Sequence, residues 1–474
     1  MKILIHGFGS YVMFYYELIK YSIKIDSGID WSMLLPTYHY KKIFEDLLGS
    51  DNVFYLHNED YILYEKDTLA NYQGNIYKDI ECDKKTIKSK MSLEQEKNAL
   101  YTYNVYKKYM LKLMPDFILF SHIESHEGMI LKSIAEELGI QIIIPTHTRL
   151  LGESFFSDDE REVLPKYSYT NDLYVQKAKR LLEEFYAGKI RSFNIPCQLL
   201  NKSGCIPDLF SRNIWERIFL FIYQINKEKK NLCFDEFRYR FLNNLPFIRD
   251  SIWKLRELYN SKYYNIKDVN ELPSKYIYYP LQYTPESSIN IPAPYFVDQM
   301  RVIDALRMSM PSDMVLVVKE HPSCIGIRDG AFVKHLLKKA GVRVANYKID
   351  SRELIKRSCL TASVTGTASL EAFMYRVPSI VFGGGFFSEF IGGKTKLDLN
   401  TLKETIDRCI NQKISMKFVE ESLAKIYSVS YPFILTAPAD LDTYSRITMS
   451  KTNIENFYFA LKMHISKIDD GRLR

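Results

Sequence analysis

A chain of 474 residues is too long for one ordinary domain and fits two or three, and its 46% apolar and 26% charged residues exclude a disordered or fibrous protein. The formal charge of +7 suits an anionic nucleotide donor, an anionic glycan or an acidic membrane surface, whereas no Arg/Lys-rich stripe interleaved with aromatics argues for nucleic acid. Seven scattered cysteines without a Cys-x-x-Cys pair point to reduced thiols and against a structural zinc site.

Met1-Lys2-Ile3-Leu4-Ile5-His6 enters a strand with no signal-peptide pattern, and no apolar run approaches the ~20 residues that span a bilayer, so a cytoplasmic location is expected. Ile218–Ile222, followed by Lys227, Lys229 and Lys230, reads as a buried helix face or a peripheral contact with the inner membrane. The spacing predicts strands at Lys2–His6, Trp31–Leu35, Val53–Leu56, Asp116–Phe120 and Gln141–Ile144, the last stopped by Pro145. Helices are expected at Tyr11–Tyr21, towards the end of 59–114, and at Met129–Leu138, closed by Gly139. This alternation is that of a parallel, doubly wound sheet over residues 1–165.

Residues 166–270 break the rhythm with long charged helices, among them Asn171–Tyr186 and Ile214–Lys230, and read as a helical insertion or linker. A second α/β unit over 271–445 follows. Its strands are expected at Tyr276–Tyr279, Met314–Lys319, Val342–Ala345, Thr361–Val364 and Ser379–Phe382, with helices at Tyr295–Ser309, Ala331–Ala340, Ser351–Ser358 and Ala368–Tyr375. Residues 446–474 form a C-terminal helical tail. The expected fold class is therefore α/β, with two Rossmann-like domains facing a cleft.

Two segments of the second unit carry chemistry. Val317-Val318-Lys319-Glu320-His321-Pro322 is a β-branched strand that brings a cation, a carboxylate and an imidazole to its end. A histidine there binds a phosphate as imidazolium or protonates a leaving oxygen, unless it is simply a satisfied strand-end residue. Alternation places Lys319 and Glu320 on opposite faces. Ser363-Val364-Thr365-Gly366-Thr367-Ala368-Ser369-Leu370-Glu371 is a small-residue turn opening a helix. Gly366 permits close backbone approach, Thr367 and Ser369 offer hydroxyls and N–H donors, and Glu371 holds a ribose hydroxyl or favours the helix dipole.

With Tyr278-Tyr279-Pro280-Leu281-Gln282-Tyr283-Thr284-Pro285-Glu286-Ser287-Ser288, these segments resemble the capsule polysaccharide biosynthesis proteins over roughly residues 275–390. That group includes bacterial Kdo transferases, GT-B glycosyltransferases that use a CMP-activated ulosonic acid. The resemblance implies a GT-B-like fold, a nucleotide-sugar donor, a glycan or glycolipid acceptor, and neither metal nor separate cofactor. It implies a donor cleft of Gln282–Ser288, Lys319–Pro322 and Gly366–Glu371, in which His321 matches the phosphate-binding His-Pro of bacterial sialyltransferases. Where the family carries an aspartate near the reacting carbon this chain has Glu286, a nucleophile or a stabiliser of oxocarbenium charge. A UDP- or GDP-sugar transferase, an epimerase or hydrolase of the same fold, and a non-catalytic assembly protein remain alternatives.

Acceptor-side candidates follow the strand Asp116–Phe120 in His122-Ile123-Glu124-Ser125-His126-Glu127-Gly128. Glu124 or His126 is placed to deprotonate an acceptor hydroxyl. The spacing lacks the helix that makes His-Glu-x-x-His a metal site. His6 at the first strand end, and Arg149 with Asp158 and Asp159, are further candidates. Asp440-Leu441-Asp442 matches a metal-binding Asp-x-Asp outside a strand-end context and is discounted.

Overall fold

The computed structural model describes the chain except for residues 9–10, 26–27, 36–39, 57–71, 73, 84–91, 151, 167, 191–252, 254, 285–286, 322–323, 329, 391–398, 436–446 and 470–474. Two sheets of nearly continuous apolar strands lie between helices, as burial on both faces requires. The first comprises β1 (Lys2–His6), β2 (Asp30–Leu35), β3 (Val53–Tyr55), β4 (Phe117–Phe120), β5 (Gln141–His147) and β6 (Ser154–Ser157) in the order β3-β2-β1-β4-β5-β6. The second comprises β7 (Tyr276–Pro280), β8 (Val315–Lys319), β9 (Val342–Ala345), β10 (Leu360–Ser363) and β11 (Ser379–Val381) in the order β11-β10-β7-β8-β9. All pairings are parallel except β5 with β6. This is the two-Rossmann, GT-B-like architecture.

Each sheet has a switch point where the strand order reverses, between β1 and β4 in the first and between β7 and β10 in the second. Ligands in doubly wound sheets bind outside the carboxyl ends of such strands. Helix Ile76–Cys82 of the first domain meets residues 287–296 of the second, with Ile291 buried in the first domain's core and the Cys82 thiol 4.0 Å from its carbonyl. Residues 287–296 follow β7, so this contact brings the carboxyl edges of the two sheets together.

Two expectations are corrected. Pro145 does not end its strand: β5 loses β4 as a partner after Ile143, and Pro145 sits where that side needs no N–H while the other side pairs with β6. Residues 154–157, not expected as a strand, supply that partner. The helix Lys451–Asp469, expected as a tail, crosses back to the first domain. Its Phe457 is fully buried against Phe14, Tyr15, Phe156 and Phe433. Helix His126–Leu138 ends as read, at Gly139 in a left-handed conformation (φ 69°). Helix Asp172–Tyr186 packs with Met416–Val429 and with Leu370, Phe373 and Met374 of the second domain. The expected helix at Ile214–Lys230 lies outside the described residues. Among the described residues, no helix is long and apolar enough to cross a membrane.

Phe457→Ala deletes a large side chain from the first domain's core and is expected to lower that domain's stability by about 3–5 kcal/mol. Urea unfolding followed by near-UV dichroism reads this; an unchanged first transition would mean that the helix is not part of that core.

Candidate functional site

Gln282 organises the edge of the second sheet. It follows β7, whose last residue pairs with Lys319, and the Leu281 N–H donates to the Lys319 carbonyl at 2.8 Å. The Gln282 N–H donates to Gln299 Oε1 (2.7 Å), and Gln299 Nε2 returns a bond to the Gln282 carbonyl (3.0 Å). The Gln282 amide reaches across the switch point, donating to Thr365 Oγ1 (3.0 Å) and accepting the Thr365 N–H (3.2 Å). Thr365 Oγ1 donates in turn to the Ser288 carbonyl (2.7 Å). A Cβ at Gly366 would lie 3.1 Å from Gln282 Nε2, close enough that the amide would have to give by a few tenths of an ångström. The missing side chain thus admits the Gln282 amide, where the sequence suggested room for a phosphate.

Gly366 and Thr367 are half-buried at this edge. Ser369 is corrected: it is fully buried, with its hydroxyl on Ser363 Oγ (2.7 Å), and it ties the turn to β10 instead of facing the cleft. Thr367 precedes the helix Ala368–Met374 without a side-chain cap bond; its carbonyl accepts the Glu371 N–H.

Beyond β8, successive side chains diverge as alternation requires. Lys319 is corrected from the donor cleft to the opposite face: it is buried, donating to the Ile349 carbonyl and to Ser351 Oγ (2.8 Å), with Tyr278 on the same hydroxyl (3.4 Å). Burial pulls its ammonium down to about 8, against the attraction of Asp350 and Glu371. Burial raises Glu371 to about 7, against Arg352, whose Nε lies 3.9 Å from Oε2. Lys319 and Glu371 therefore form a buried charge cluster beneath the edge.

Glu320 points the other way, with Oε1 accepting the His321 N–H (2.8 Å) and Oε2 2.8 Å from Arg328 Nε. The His321 ring lies 6.1 Å from the Tyr283 ring, tilted 39°. Burial brings its imidazole down to about 4, with Arg328 and Lys319 adding to the effect. His321 is thus a neutral hydrogen-bonding group at pH 7.

The first domain's switch point carries the acceptor-side candidates. Ser121 after β4 donates to the His6 carbonyl (2.7 Å) and accepts the Phe8 N–H (3.0 Å), clasping the ends of β1 and β4. His126 opens its helix buried, with Nδ1 2.7 Å from Asp83 Oδ2. Asp83 follows the helix Ile76–Cys82 at the domain contact, so His126 stands close to the seam. Glu124 is half-buried in the preceding turn, and burial raises the Glu127 carboxyl. His6 is buried and held down to about 4 by desolvation; neither ring nitrogen has a partner among the described residues. Arg149 instead pairs with Glu162, and Asp159 with Arg161. Among the described residues no three His, Cys, Asp or Glu side chains gather as metal ligands. Glu286 and the pair Asp440 and Asp442 lie outside the described residues.

Asp83, Gln299 and Arg328 were not singled out in the sequence. Each acts on a residue 17 to 46 positions away, and only the fold shows the pairing.

Fold and site together define a two-domain, GT-B-like α/β protein whose second sheet carries the motif loops. The family of capsule polysaccharide biosynthesis proteins matches residues 221–433, which bears out the resemblance drawn from Gln282, His321 and Thr365. The match begins inside the stretch read as an insertion. A search of curated proteins finds no match. Similar solved structures include the KpsC beta Kdo 2,7 transferase of Thermosulfurimonas dismutans, 12% identical over 91% of this chain and 92% of that one, with a TM-score of 0.33. The beta Kdo 2,4 transferase KpsC of that organism is 11% identical over 67% and 82%, with a TM-score of 0.35. UDP-GlcNAc 2-epimerase from Methanocaldococcus jannaschii is 12% identical over 90% and 98%, with a TM-score of 0.26.

Gly366→Val is expected to crowd the Gln282 amide and disturb its two bonds to Thr365, destabilising the second domain by about 1–3 kcal/mol. Scanning calorimetry of wild type and variant decides it; an unchanged melting temperature would mean that the amide accommodates the added side chain.

Proposed function

We propose that this protein is a glycosyltransferase of surface-polysaccharide synthesis that moves a CMP-activated ulosonic or nonulosonic acid onto a glycan or its lipid-linked precursor. The observation that carries the reading is the convergence of the three motif loops, with Gln282 bonded to Thr365 and His321 beside Tyr283, at the carboxyl edge of the second sheet. The family match over the same half of the chain supports it.

In this reading His321 and the Gly366–Thr367 backbone hold the donor phosphate, while Glu371 stays in the buried charge cluster with Lys319. Breaking the bond between the anomeric carbon and the phosphate oxygen leaves negative charge on CMP, and an imidazole hydrogen bond to that oxygen stabilises its departure. The resemblance gives Glu286 the role of nucleophile or stabiliser of the positive charge that develops on the sugar. The acceptor hydroxyl forms the new bond and loses its proton to a base of the first domain. The His126–Asp83 pair fits that role: Asp83 takes the Nδ1 side and leaves Nε2 to accept the proton, with Glu124 as the neighbouring carboxylate. No separate cofactor enters, and a peripheral contact with the inner membrane would bring the protein to a lipid-linked acceptor.

Incubation with CMP-, UDP- and GDP-sugars, with and without acceptor glycan, tests the proposal. CMP release that requires acceptor is the expected result. Release without acceptor would indicate a hydrolase or epimerase, and release only from UDP- or GDP-sugars would overturn the donor. His321→Ala is expected to lower turnover ~10²–10⁴-fold with the fold retained; near-normal turnover would remove His321 from the chemistry.

A bound phosphodiester favours the imidazolium, so it raises His321 from about 4. Between that value and the higher one in the complex, binding takes up a proton, and affinity for a CMP ester rises as pH falls. Calorimetry across pH reads the slope, which His321→Asn abolishes. A flat profile in the wild type would mean that phosphate does not sit beside His321.

A further inference from the structure

One side chain touches the loops after both β7 and β8. Arg328 Nη2 donates to the Gln282 carbonyl at 2.6 Å and Nη1 to Thr284 Oγ1 at 3.4 Å. Its Nε lies 2.8 Å from Glu320 Oε2, an ion-pair contact along which the N–H is not aligned. The other Glu320 oxygen accepts the His321 N–H. The guanidinium also lies over the Phe332 ring, 5.0 Å from its centroid, and only 14% of the side chain is exposed. Since Gln282 is bonded to Thr365, the connections run from Arg328 to all three loops that frame the donor edge.

We propose that Arg328 is the positioning residue of this site: its guanidinium sets the spacing between Gln282 and His321, and through Glu320 it fixes the backbone from which the His321 ring projects. A planar fork with several donors in fixed directions spans two loops at once, which a lysine ammonium at the end of a flexible stem does not reproduce. The loop is anchored from behind as well. Asn260 Nδ2 donates to the Arg328 carbonyl (3.4 Å), and the Cys324 and Ile327 N–H groups bond to the His321 and Cys324 carbonyls. Arg328 adds the connection to the loop after β7. Its charge has a second effect, because it is one of the groups around His321, with Lys319, Glu320 and the Tyr283 ring.

The inference rests on the reading of this edge as a nucleotide site, and two substitutions in the full-length chain separate it from that reading. The His321 ring is followed by carbon-detected NMR, assigned with His321→Asn, while calorimetry measures affinity for a CMP ester. R328Q is expected to move the His321 titration upward, toward the ordinary histidine value of about 6.5, and to weaken CMP-ester binding about tenfold or more. R328K keeps the charge, so His321 should titrate as in wild type while binding still weakens about tenfold. That split distinguishes positioning by geometry from a merely structural role. If both variants lower the melting temperature but leave titration and affinity unchanged, the proposal is overturned. If wild type binds no CMP ester, the nucleotide reading fails; an unmoved His321 titration in R328Q would then reject Arg328 as well.

Discussion

The carboxyl edge of the second sheet depends on the complete use of one side chain and its backbone. Gln282 has four polar groups, and all four are engaged: N–H and carbonyl with Gln299, carbonyl also with Arg328, and both amide atoms with Thr365. A buried amide left half-satisfied costs about 1–3 kcal/mol, so each partner is constrained by the others. The cost is met by geometry that β7 and β10 supply as direct neighbours, together with the absence of a side chain at Gly366. Loops that would otherwise be independent become one surface.

The alternation along β8 then sorts charge. Lys319 goes to the face bearing Tyr278 and Ser351, where it meets Asp350 and Glu371 through the low-dielectric interior; Glu320 goes to the face bearing Arg328. Burial holds the His321 ring neutral, and both cations add to that effect.

Much of the architecture was legible because parallel strands buried on both faces write themselves as β-branched runs. Lys2–His6 and Val342–Ala345 match their strands end to end, and most other bounds differ by a residue or so. The C-terminal edge motifs were legible as local strings. What escaped were effects of register and long-range pairing. Pro145 reads as a stop until β6 is known to lie beside it, and Ser369 reads as a ligand until Ser363 is seen against its hydroxyl. Alternation sets Lys319 and Glu320 on opposite faces but does not say which is covered, and Lys319 is the buried one. Asp83 and Arg328 act across 43 and 46 residues of chain, which no local pattern encodes.

The return of the helix Lys451–Asp469 to the first domain bears on how the protein is made. Phe14, Tyr15 and Phe156 are translated early, yet their cover, Phe433 and Phe457, comes from the far end of the chain. At ordinary ribosomal speeds roughly 20–90 s separate the two. Through that interval the nascent first sheet carries an aromatic face without its lid, a natural place for a holding chaperone to act. The half of the protein synthesised first is thus the last to be finished.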